Sequence, residues 1–413
     1  LLEATKVWLK IGLLSFGGPA AQIALMHREV VEERSWLSEQ QYLNALSFCM
    51  LLPGPEAMQL ATYAGWRMHG TLGGLIAGLL FVLPGAAAIL GLALIYALLG
   101  DLPLISALFL GVKAVVVIIV IEALLRVAKR ALHLPEHWVI AALAFVAIFF
   151  FSLPYPLIIA VAAIFGFFRS GPSVEAKQPT GVNHWRSLLT TVLWFGIWWI
   201  PLILVALVDH SGMMQTLAVF FSKLAMVTFG GAYAVLAYMG QDVVGNLGWL
   251  TAGEMMDGLG LAETTPGPLI LVTEFVGFLA AFNAGGVWLG VLGATVTLWA
   301  TFAPCFLWIF VGAPYIDWIG NQPRLMSALK AITAAVVGVI LNLSIWFALH
   351  VFFTEVAAKN WQWLTIWTPE LSSLDWRVVV LSVAASILLF KFHWGLIRIL
   401  GLAALAGVGL SFL

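Results

Sequence analysis

Long apolar stretches alternate with short breaks along most of this chain. Four uninterrupted stretches, at residues 71–99, 104–125, 185–208 and 287–311, reach or exceed the roughly 20 residues that a helix needs to cross the hydrocarbon core of a bilayer. Spanning β-strands would be shorter and would alternate apolar with polar residues, so a barrel is excluded. The pattern predicts an all-α polytopic membrane protein.

The sequence also repeats itself. A shift of 213 residues aligns Lys10 with Lys223, Phe16-Gly17-Gly18 with Phe229-Gly230-Gly231, Trp36-Leu37 with Trp249-Leu250, and Pro53-Gly54-Pro55 with Pro266-Gly267-Pro268. With small length changes the match continues to Pro84 and Pro304, and to Lys113 and Lys330. Duplicated halves are common in transporters. We predict an N-terminal repeat at 1–169, a polar linker with a connecting transmembrane helix at 170–212, and a C-terminal repeat at 213–413.

Each half begins with segments that are too short to cross a bilayer. Residues 4–16 and 19–33 flank the Gly-Gly turn, and residues 39–52 and 55–69 flank the Pro-Gly-Pro. Glycine favours non-helical dihedral angles, and proline lacks the N–H and clashes with the preceding turn. We therefore expect two broken or re-entrant helical hairpins in each half. A pair of kinked spanning helices is the alternative, since Pro and Gly are common in transmembrane helices.

About four spanning helices should follow the hairpins in each half, with one extra helix joining the halves. The expected spans of the first half are 71–99, 104–129, 137–151 and 155–169, and the connecting span is 185–209. In the second half we expect hairpins at 213–245 and 251–284 and spans at 286–312, 325–350, 376–391 and 394–413. The tryptophan-rich stretch at 361–376 is expected to lie at the outer membrane interface.

An odd connecting helix should invert the second half relative to the first. Cytoplasmic loops carry an excess of Lys and Arg. The predicted topology puts a set of basic residues on one side of the membrane: Arg28, Arg34, Arg126, Lys129, Arg130, Arg169, Lys177 and Arg186. No Lys or Arg lies between Lys223 and Arg324 in the sequence. Equivalent loops are therefore expected to face opposite sides.

Composition agrees with a membrane protein and removes several function classes. The chain is 62% hydrophobic and 9% charged, with a formal net charge of −1, so nothing indicates binding to a nucleic acid. Cys49 and Cys305 lie in apolar stretches and are expected to be small core residues rather than a disulfide. The first thirty residues do not have the pattern of a cleavable signal. No nucleotide-binding, nucleophile-elbow or zinc motif is present in the sequence, so no cofactor, metal or catalytic residue is expected.

The four breaks are the expected site of chemistry. Irregular backbone is tolerated at membrane depth only where it is buried in protein or lines a cavity. A new half-helix starts at each break, and its free amides and dipole favour an anion. Ser15 and Thr228 precede the Gly-Gly turns, and Thr264 and Thr265 precede the second Pro-Gly-Pro, where their hydroxyls could donate to oxyanion oxygens. Close helix packing is the alternative role for the glycines.

Charged residues near the breaks are candidates for coupling or for a gate. Lys10 and Lys223 precede the Gly-Gly turns by about two helical turns, although both could snorkel to the interface. Glu56, Glu263 and Glu274 break the symmetry of the repeat and could carry a proton, although Glu56 could instead complement a helix dipole. Residues 27–34 form a charged segment that is expected to be solvated, with Arg28 as a gate candidate.

The motifs at 15–22, 26–29, 36–38, 50–57 and 59–62 closely resemble the chromate ion transporter family in its long, two-domain form. A weaker copy occupies 229–232 and 265–268. The resemblance implies export of chromate from the cytoplasm of a bacterium across its inner membrane, resistance to chromate, and coupling to the proton-motive force. Chromate is a tetrahedral dianion like sulfate, which agrees with anion-facing helix ends. The expected substrate-binding residues are Ser15, Phe16, Gly17, Gly18, Gln22, Pro53, Gly54, Pro55, Thr228, Phe229, Gly230, Gly231, Thr265, Pro266, Gly267 and Pro268.

Two other functions remain open from the sequence. One is a sulfate or other oxyanion carrier or uniporter, and the other is an intramembrane enzyme or lipid-handling protein. The second would need a convergent acid, base or metal set that the sequence does not display. The expected partners are chromate or sulfate, protons as the coupling ion, the lipid bilayer and, as one option for the assembly, a second copy of the chain in a homodimer.

Overall fold

The computed structural model of the chain describes residues 1–100, 102–169, 184–229, 231–320, 322–361 and 363–412. Two of the predicted features lie outside these residues. They are Gly230 in the second Phe-Gly-Gly turn and most of the polar linker, at 170–183.

Helices dominate the described chain, as the apolar pattern predicts. They are α1 (Leu2–Leu14), α2 (Gly18–His27), α3 (Glu39–Cys49), α4 (Glu56–Leu99), α5 (Pro103–Ala131), α6 (Pro135–Phe149), α7 (Tyr155–Arg169), α8 (His184–Val208), α9 (Met213–Val227), α10 (Ala232–Met239), α11 (Ala252–Thr264), α12 (Val272–Gly285), α13 (Val287–Gly312), α14 (Ile316–Gly320), α15 (Pro323–Phe352), α16 (Trp376–Phe390) and α17 (Leu396–Leu410). Short 3₁₀ turns lie at Leu269–Leu271, Ala313–Tyr315 and Leu371–Ser373.

Five helical stretches of the described chain are long and apolar enough to cross a membrane. They are Glu56–Leu99, Pro103–Ala131, Trp185–Val208, Val287–Tyr315 and Pro323–Phe352. The helices α6, α7, α16 and α17 have 15 residues each. At 1.5 Å per residue each is about 22 Å long, less than the roughly 30 Å of a hydrocarbon core. The protein is therefore an all-α membrane protein in which only some of the predicted spans have full length.

The helices end and restart at the predicted breaks. α1 ends at Leu14 and α2 begins at Gly18, while α3 ends at Cys49 and α4 begins at Glu56. The longest helix, α4, has a further break, because His69 and Gly70 have non-helical dihedral angles. Its counterpart in the second half is Gly286, which separates α12 from α13 and has a φ of +81° against +64° at Gly70. The structure thus confirms a helix break between the predicted segments that end at residue 69 and start at residue 71, and the chain is helical again directly after Gly70.

Equivalent local features recur in the two halves. Arg28–Glu32 and Gly240–Asn246 are π-helical extensions of α2 and α10. After them, the amide N of Trp36 donates to the carbonyl O of Val30, and the amide N of Trp249 donates to that of Val243. The two donors are 213 residues apart, and so are the two acceptors. This is the shift that aligns the two halves of the sequence.

Close helix contacts also recur. A Cβ added to Gly65 or Gly73 would collide with the backbone carbonyl oxygen of the other residue. Gly277 and Gly293 face each other in the same way, because a Cβ on Gly293 would lie 2.5 Å from the carbonyl oxygen of Gly277. Small residues that let helix backbones approach are typical of membrane proteins.

The described chain divides into two compact units. The first contains Leu1–Leu94, Phe168–Ala232 and Thr265–Ser327, and the second contains Ile95–Phe167, Tyr233–Thr264 and Ala328–Leu413. Each unit takes residues from both halves of the sequence. In the second unit, for example, the hydroxyl of Ser382 on α16 donates to the carbonyl O of Ala114 on α5.

A β-hairpin adds to the expected all-helical architecture. Strands β1 (Val356–Trp361) and β2 (Leu364–Pro369) pair antiparallel, with Trp361 opposite Leu364. These strands were not predicted from the sequence, although the β-branched and aromatic residues of β2 suit a strand; the interfacial location of 361–376 stays a prediction. Trp361 and Trp363 are largely exposed at the tip of the hairpin.

The glycine contact between the two parts of α4 predicts a position-specific effect on stability. Gly73→Leu should lower the free energy of unfolding by about 1–3 kcal/mol, because the new side chain meets the backbone of Gly65. Gly91→Leu, on the same helix with open space beside it, is the matched control and should change it by less than about 0.5 kcal/mol. Thermal unfolding of the two purified variants in detergent tests this, and equal losses would contradict it.

Candidate functional site

The predicted breaks of the two halves are joined to one another by backbone hydrogen bonds. The amide N of Gly54 donates to the carbonyl O of Thr228 at 2.8 Å, and the amide N of Gly267 donates to the carbonyl O of Ser15 at 2.9 Å. The two donors, Gly54 and Gly267, are 213 residues apart, and so are the two acceptors, Ser15 and Thr228. The two bonds are thus equivalent in the repeat. Each Pro-Gly-Pro therefore pairs with the Phe-Gly-Gly turn of the opposite half. We call these two bonds the break contacts; all four residues belong to the first unit.

Glycine is required at these contacts for two reasons. Gly54 has a φ of +117° and Gly267 a φ of +94°, values that residues with a Cβ rarely adopt. A Cβ on Gly54 would also lie 2.8 Å from the Gln59 Nε2 and 3.0 Å from the Cys305 Sγ. Gly18 and Gly231 have positive φ as well, but open space lies beside both. Conformation and packing thus act together at Gly54, and conformation alone acts at Gly18.

A buried glutamine reinforces one of the break contacts. The Nε2 of Gln22 donates to the carbonyl O of Ser15 at 3.2 Å and to that of Gly267 at 2.6 Å. Both acceptors belong to residues of the second break contact, so Gln22 ties α2 to the opposite half. Val235 occupies the equivalent sequence position in the second half. The two break contacts therefore have the same backbone geometry but unequal side-chain support.

Gln59 was not among the predicted site residues, although it belongs to this region. Its Nε2 donates to the carbonyl O of Pro53 at 2.7 Å, within the first Pro-Gly-Pro. It is fully buried, and its equivalent in the second half is Val272. The sequence signal that could have revealed it is a polar residue in the first turn of an otherwise apolar helix.

The predicted hydroxyl donors are engaged within their own helices. Ser15 donates to the carbonyl O of Ile11 and Thr228 donates to that of Leu224, again related by the 213-residue shift. Thr264 donates to the carbonyl O of Leu261. A hydroxyl has one proton to donate. In this conformation the protons of these three hydroxyls are engaged, so donation to an anion would require the hydroxyls to rotate, and it stays a prediction.

The remaining predicted residues lie in the turns and at the helix starts that form the breaks. The amide N of Phe16 donates to the carbonyl O of Leu14, and that of Phe229 donates to Val227, so each turn is tight before the glycines. Gly17 precedes the start of α2, and Pro19 follows that start. Pro53, Pro55, Thr265, Pro266 and Pro268 lie in the two Pro-Gly-Pro segments between helices. Glu56 is the first residue of α4 and is half-buried.

The charged segment at 27–34 was predicted to be solvated, but one of its carboxylates is buried. The carboxylate of Glu29 is fully buried, with Oε1 2.6 Å from the Lys10 Nζ and Oε2 2.7 Å from the Arg34 Nη1. Lys10 is therefore in an ion pair with the π-helical extension of α2. Arg28, the gate candidate, is 3.7 Å from Glu33 at the surface, and Lys223 is exposed.

The pKa of Glu29 follows from these contacts, and the residue lies outside the five long spanning helices. Burial by itself would raise its pKa, but the hydrogen bonds and charges of Lys10 and Arg34 outweigh burial. The pKa of Glu29 consequently lies below its usual value of 4.5.

The two carboxylates near the second Pro-Gly-Pro have different surroundings. Glu263, on α11 in the second unit, is buried and its Oε1 accepts from the Tyr233 hydroxyl at 2.7 Å. Glu274, on α12 in the first unit, is buried, and its Oε2 has no hydrogen-bond partner among the described residues. An unpaired buried carboxylate is far more stable as the neutral acid. Both residues are thus suited to hold a proton, which keeps them as coupling candidates.

A further charged pair in the second unit was not predicted. Lys113 Nζ lies 3.2 Å from the Oδ2 of Asp257, and the Tyr96 hydroxyl donates to the same oxygen at 2.8 Å. Lys113 was identified in the sequence only through the repeat, and the structure shows it paired with an acid. Asp257 falls in an apolar, glycine-rich helix, and its partners are far away in sequence.

Both cysteines are buried and unpaired, as predicted.

Comparisons with known proteins match the family described as "Chromate transporter" over residues 2–167 and again over residues 215–408. The relatives include the "Probable chromate transport protein" of Synechococcus elongatus, 32% identical over 82% of this chain and 82% of its own length. The "Chromate transport protein" of Pseudomonas aeruginosa is 32% identical over 81% of this chain and 77% of its own. YwrA, an uncharacterized transporter of Bacillus subtilis, is 32% identical over 37% of this chain but 88% of its own length. No solved structure matches the chain.

The clamp on Glu29 predicts a pH-dependent contribution to stability. A carboxyl group whose pKa is depressed by folding stabilises the protein above its unfolded pKa, and this contribution is lost as the pH falls through the folded pKa. Acidification below about 4.5 should therefore destabilise the wild type more steeply than Glu29→Gln, which lacks the titrating group. Thermal unfolding in detergent at decreasing pH measures this difference. Glu3→Gln, at an exposed position on α1, should follow the wild type; identical profiles for Glu29→Gln and wild type would refute the clamp.

Proposed function

The chain belongs to the chromate transporter family, and on this premise we propose that it is a secondary transporter that exports chromate from the cytoplasm of a bacterium across its inner membrane. Its activity would confer resistance to chromate. The single observation on which the proposed binding site rests is the pair of break contacts between the two halves.

The break contacts favour an anion site for a reason of solvation. Backbone that leaves the helical conformation cannot be exposed to lipid, so it must be buried in protein or line a polar cavity. The contacts satisfy the amides of Gly54 and Gly267, but the first turn of an α-helix leaves its amides without a partner in that helix. Such amides are those of Ala20 and Ala21 in α2 and of Ala57 and Met58 in α4. Those amides, together with the positive ends of the helix dipoles, would bind the oxygens of a tetrahedral oxyanion.

The substrate would thus meet mainly backbone. Gly17 and Gly18 present the start of α2, Gly54 and Pro55 present the start of α4, and Gln22 holds the turn in place. The equivalent positions of the second half, from Thr228 to Gly231 and from Thr265 to Pro268, complete the proposed site. Backbone donors recognise the shape and charge of an anion, and chromate and sulfate are both tetrahedral dianions. Such a site would therefore accept either anion.

We regard the halves as inverted repeats, each with two broken hairpins, joined by α8. Three observations support this arrangement. The family description matches the chain twice, YwrA aligns with less than half of the chain over most of its own length, and Lys and Arg are absent from the sequence between Lys223 and Arg324. Inverted repeats provide two equivalent gates, one for each side of the membrane.

The driving force in this proposal is the proton-motive force. Chromate is a dianion, so a membrane potential that is negative inside favours its exit. Protons that enter in exchange would add the pH gradient to the driving force, and Glu263 and Glu274 are the predicted residues buried well enough to hold them. The sequence has no motif for ATP binding.

Transport into everted membrane vesicles tests the proposal. Wild-type vesicles should accumulate labelled chromate, and a pH gradient that is acid inside should increase the rate. Gly54→Leu should lower the rate at least about tenfold while the protein stays inserted, because both the backbone conformation and the packing at the break are lost. Gly91→Leu, away from the breaks and beside open space, is the control and should transport normally.

Three results would count against the proposal. Absence of chromate accumulation under any gradient would contradict transport itself. Sulfate that accumulates faster than chromate would favour a sulfate carrier. Normal transport by an inserted Gly54→Leu would remove the break as the site.

A further inference from the structure

Asp257 combines burial, a cation and an unpaired oxygen in one carboxylate. The residue is 4% exposed and lies on α11 in the second unit. Its Oδ2 is 3.2 Å from the Lys113 Nζ and accepts from the Tyr96 hydroxyl at 2.8 Å. Its Oδ1 is buried and has no hydrogen-bond partner among the described residues. The two oxygens of one carboxylate are therefore in very different environments.

The unpaired oxygen is the one left for a proton. A buried acceptor without a partner costs roughly 1–3 kcal/mol. Protonation there would also neutralise the buried charge of the carboxylate. The titratable and charged groups that face Asp257 are Lys113 on α5, Tyr96 on α4 and Glu254 on its own helix. Of these, only Lys113 carries a positive charge.

Three other carboxylates of the described chain are buried, and none combines an ion pair with an unpaired oxygen. Both oxygens of Glu29 are held by cations. Glu263 accepts from a tyrosine hydroxyl and has no orphaned oxygen, while Glu274 has an unpaired oxygen but no cation in an ion pair with it among the described residues. At Asp257 a proton and the Lys113 charge compete for one carboxylate. Such competition gives two alternative states, an ion pair with Lys113 and a neutral acid.

The pair is also present in only one half. Lys113 corresponds to Lys330 in the repeat, but the 213-residue shift places Asn44 where the second half has Asp257. The lysine is therefore duplicated and the acid is not. In addition, α11 ends at Thr264 and runs directly into the second Pro-Gly-Pro, whose Gly267 makes a break contact. The acid therefore lies on the helix that immediately precedes this break in the sequence.

We infer that Asp257 is a proton-binding site that nothing in the family match assigns, and that Lys113 is its exchangeable counter-charge. This inference rests on the proposed function only in that protons drive the transport. The ionised carboxylate pairs with Lys113 and holds α11 against α5. Protonation at Oδ1 neutralises the carboxylate, frees the charge of Lys113 and loosens α11. Loss of the proton restores the pair.

Infrared difference spectroscopy of the purified protein tests the proton site without any transport. Acidification of the wild type should produce the carbonyl bands of several protonated carboxylic acids, and the difference between the wild-type and Asp257→Asn spectra should contain one band, that of the Asp257 acid. Lys113→Met should show the band before acidification, because a buried carboxylate without its cation takes up a proton. Glu254→Gln, a matched change on the same helix, should retain the wild-type response. Identical spectra of the wild type and Asp257→Asn would overturn the inference.

Reconstituted vesicles then test the role of the site. With chromate on both sides, exchange by Asp257→Asn should stay within about threefold of the wild type. With a pH gradient, its net transport should lose at least about tenfold, whereas Glu254→Gln should keep the response of the wild type. Asparagine is the residue that the first half carries at the equivalent position, so the variant makes the halves alike there.

The outcomes separate the inference from the proposed function. If Asp257→Asn still responds to the gradient, or loses exchange as well although it is folded, the inference is wrong. If the wild type exchanges chromate but ignores pH gradients, the inference also fails while chromate transport stands. If the wild type moves no chromate, the proposed function fails, and the infrared experiment alone decides whether Asp257 binds a proton.

Discussion

The structure depends on how non-helical backbone is satisfied where helices break. Two backbone hydrogen bonds do this, from Gly54 to Thr228 and from Gly267 to Ser15, and each joins one half of the sequence to the other. In the proposed topology lipid could not replace such bonds, so each half would need the other at its breaks. The glycines, the tight turns at Phe16 and Phe229, and the compact unit that contains all four breaks follow from this constraint.

The two break contacts have the same backbone hydrogen bonds, but the side chains around them differ between the two halves of the sequence. Gln22 and Gln59 support the breaks of the first half, where the second half has valines. Glu29 is clamped by Lys10 and Arg34, whereas Leu247 stands in the second half at the position equivalent to Arg34. In the proposed transporter the gradients set the net direction, so the residues in which the halves differ are candidates for the proton coupling. A transported anion with backbone ligands is compatible with such specialisation.

The sequence predicted the helices and breaks because their causes are local. Phe-Gly-Gly and Pro-Gly-Pro cannot continue a helix, and apolar length sets the long helices α5, α13 and α15. Partners distant in sequence were not predictable. Nothing near Lys113 indicates Asp257 as its partner, and nothing near Glu29 indicates that its carboxylate is buried. The bonds that the Ser15, Thr228 and Thr264 hydroxyls make to their own helix carbonyls were not predicted, although serine and threonine commonly make such bonds. The strands β1 and β2 were missed because a short hairpin of tryptophan and threonine looks like an interfacial loop.

The most direct test of the account is an experimental structure of the protein with chromate bound, read for one quantity, the position of the anion. The account predicts an oxyanion within hydrogen-bond distance of backbone amides at the start of α2 or α4, next to Gly18 or Gly54. An anion bound elsewhere, with the break contacts intact and no density at these helix starts, would contradict it.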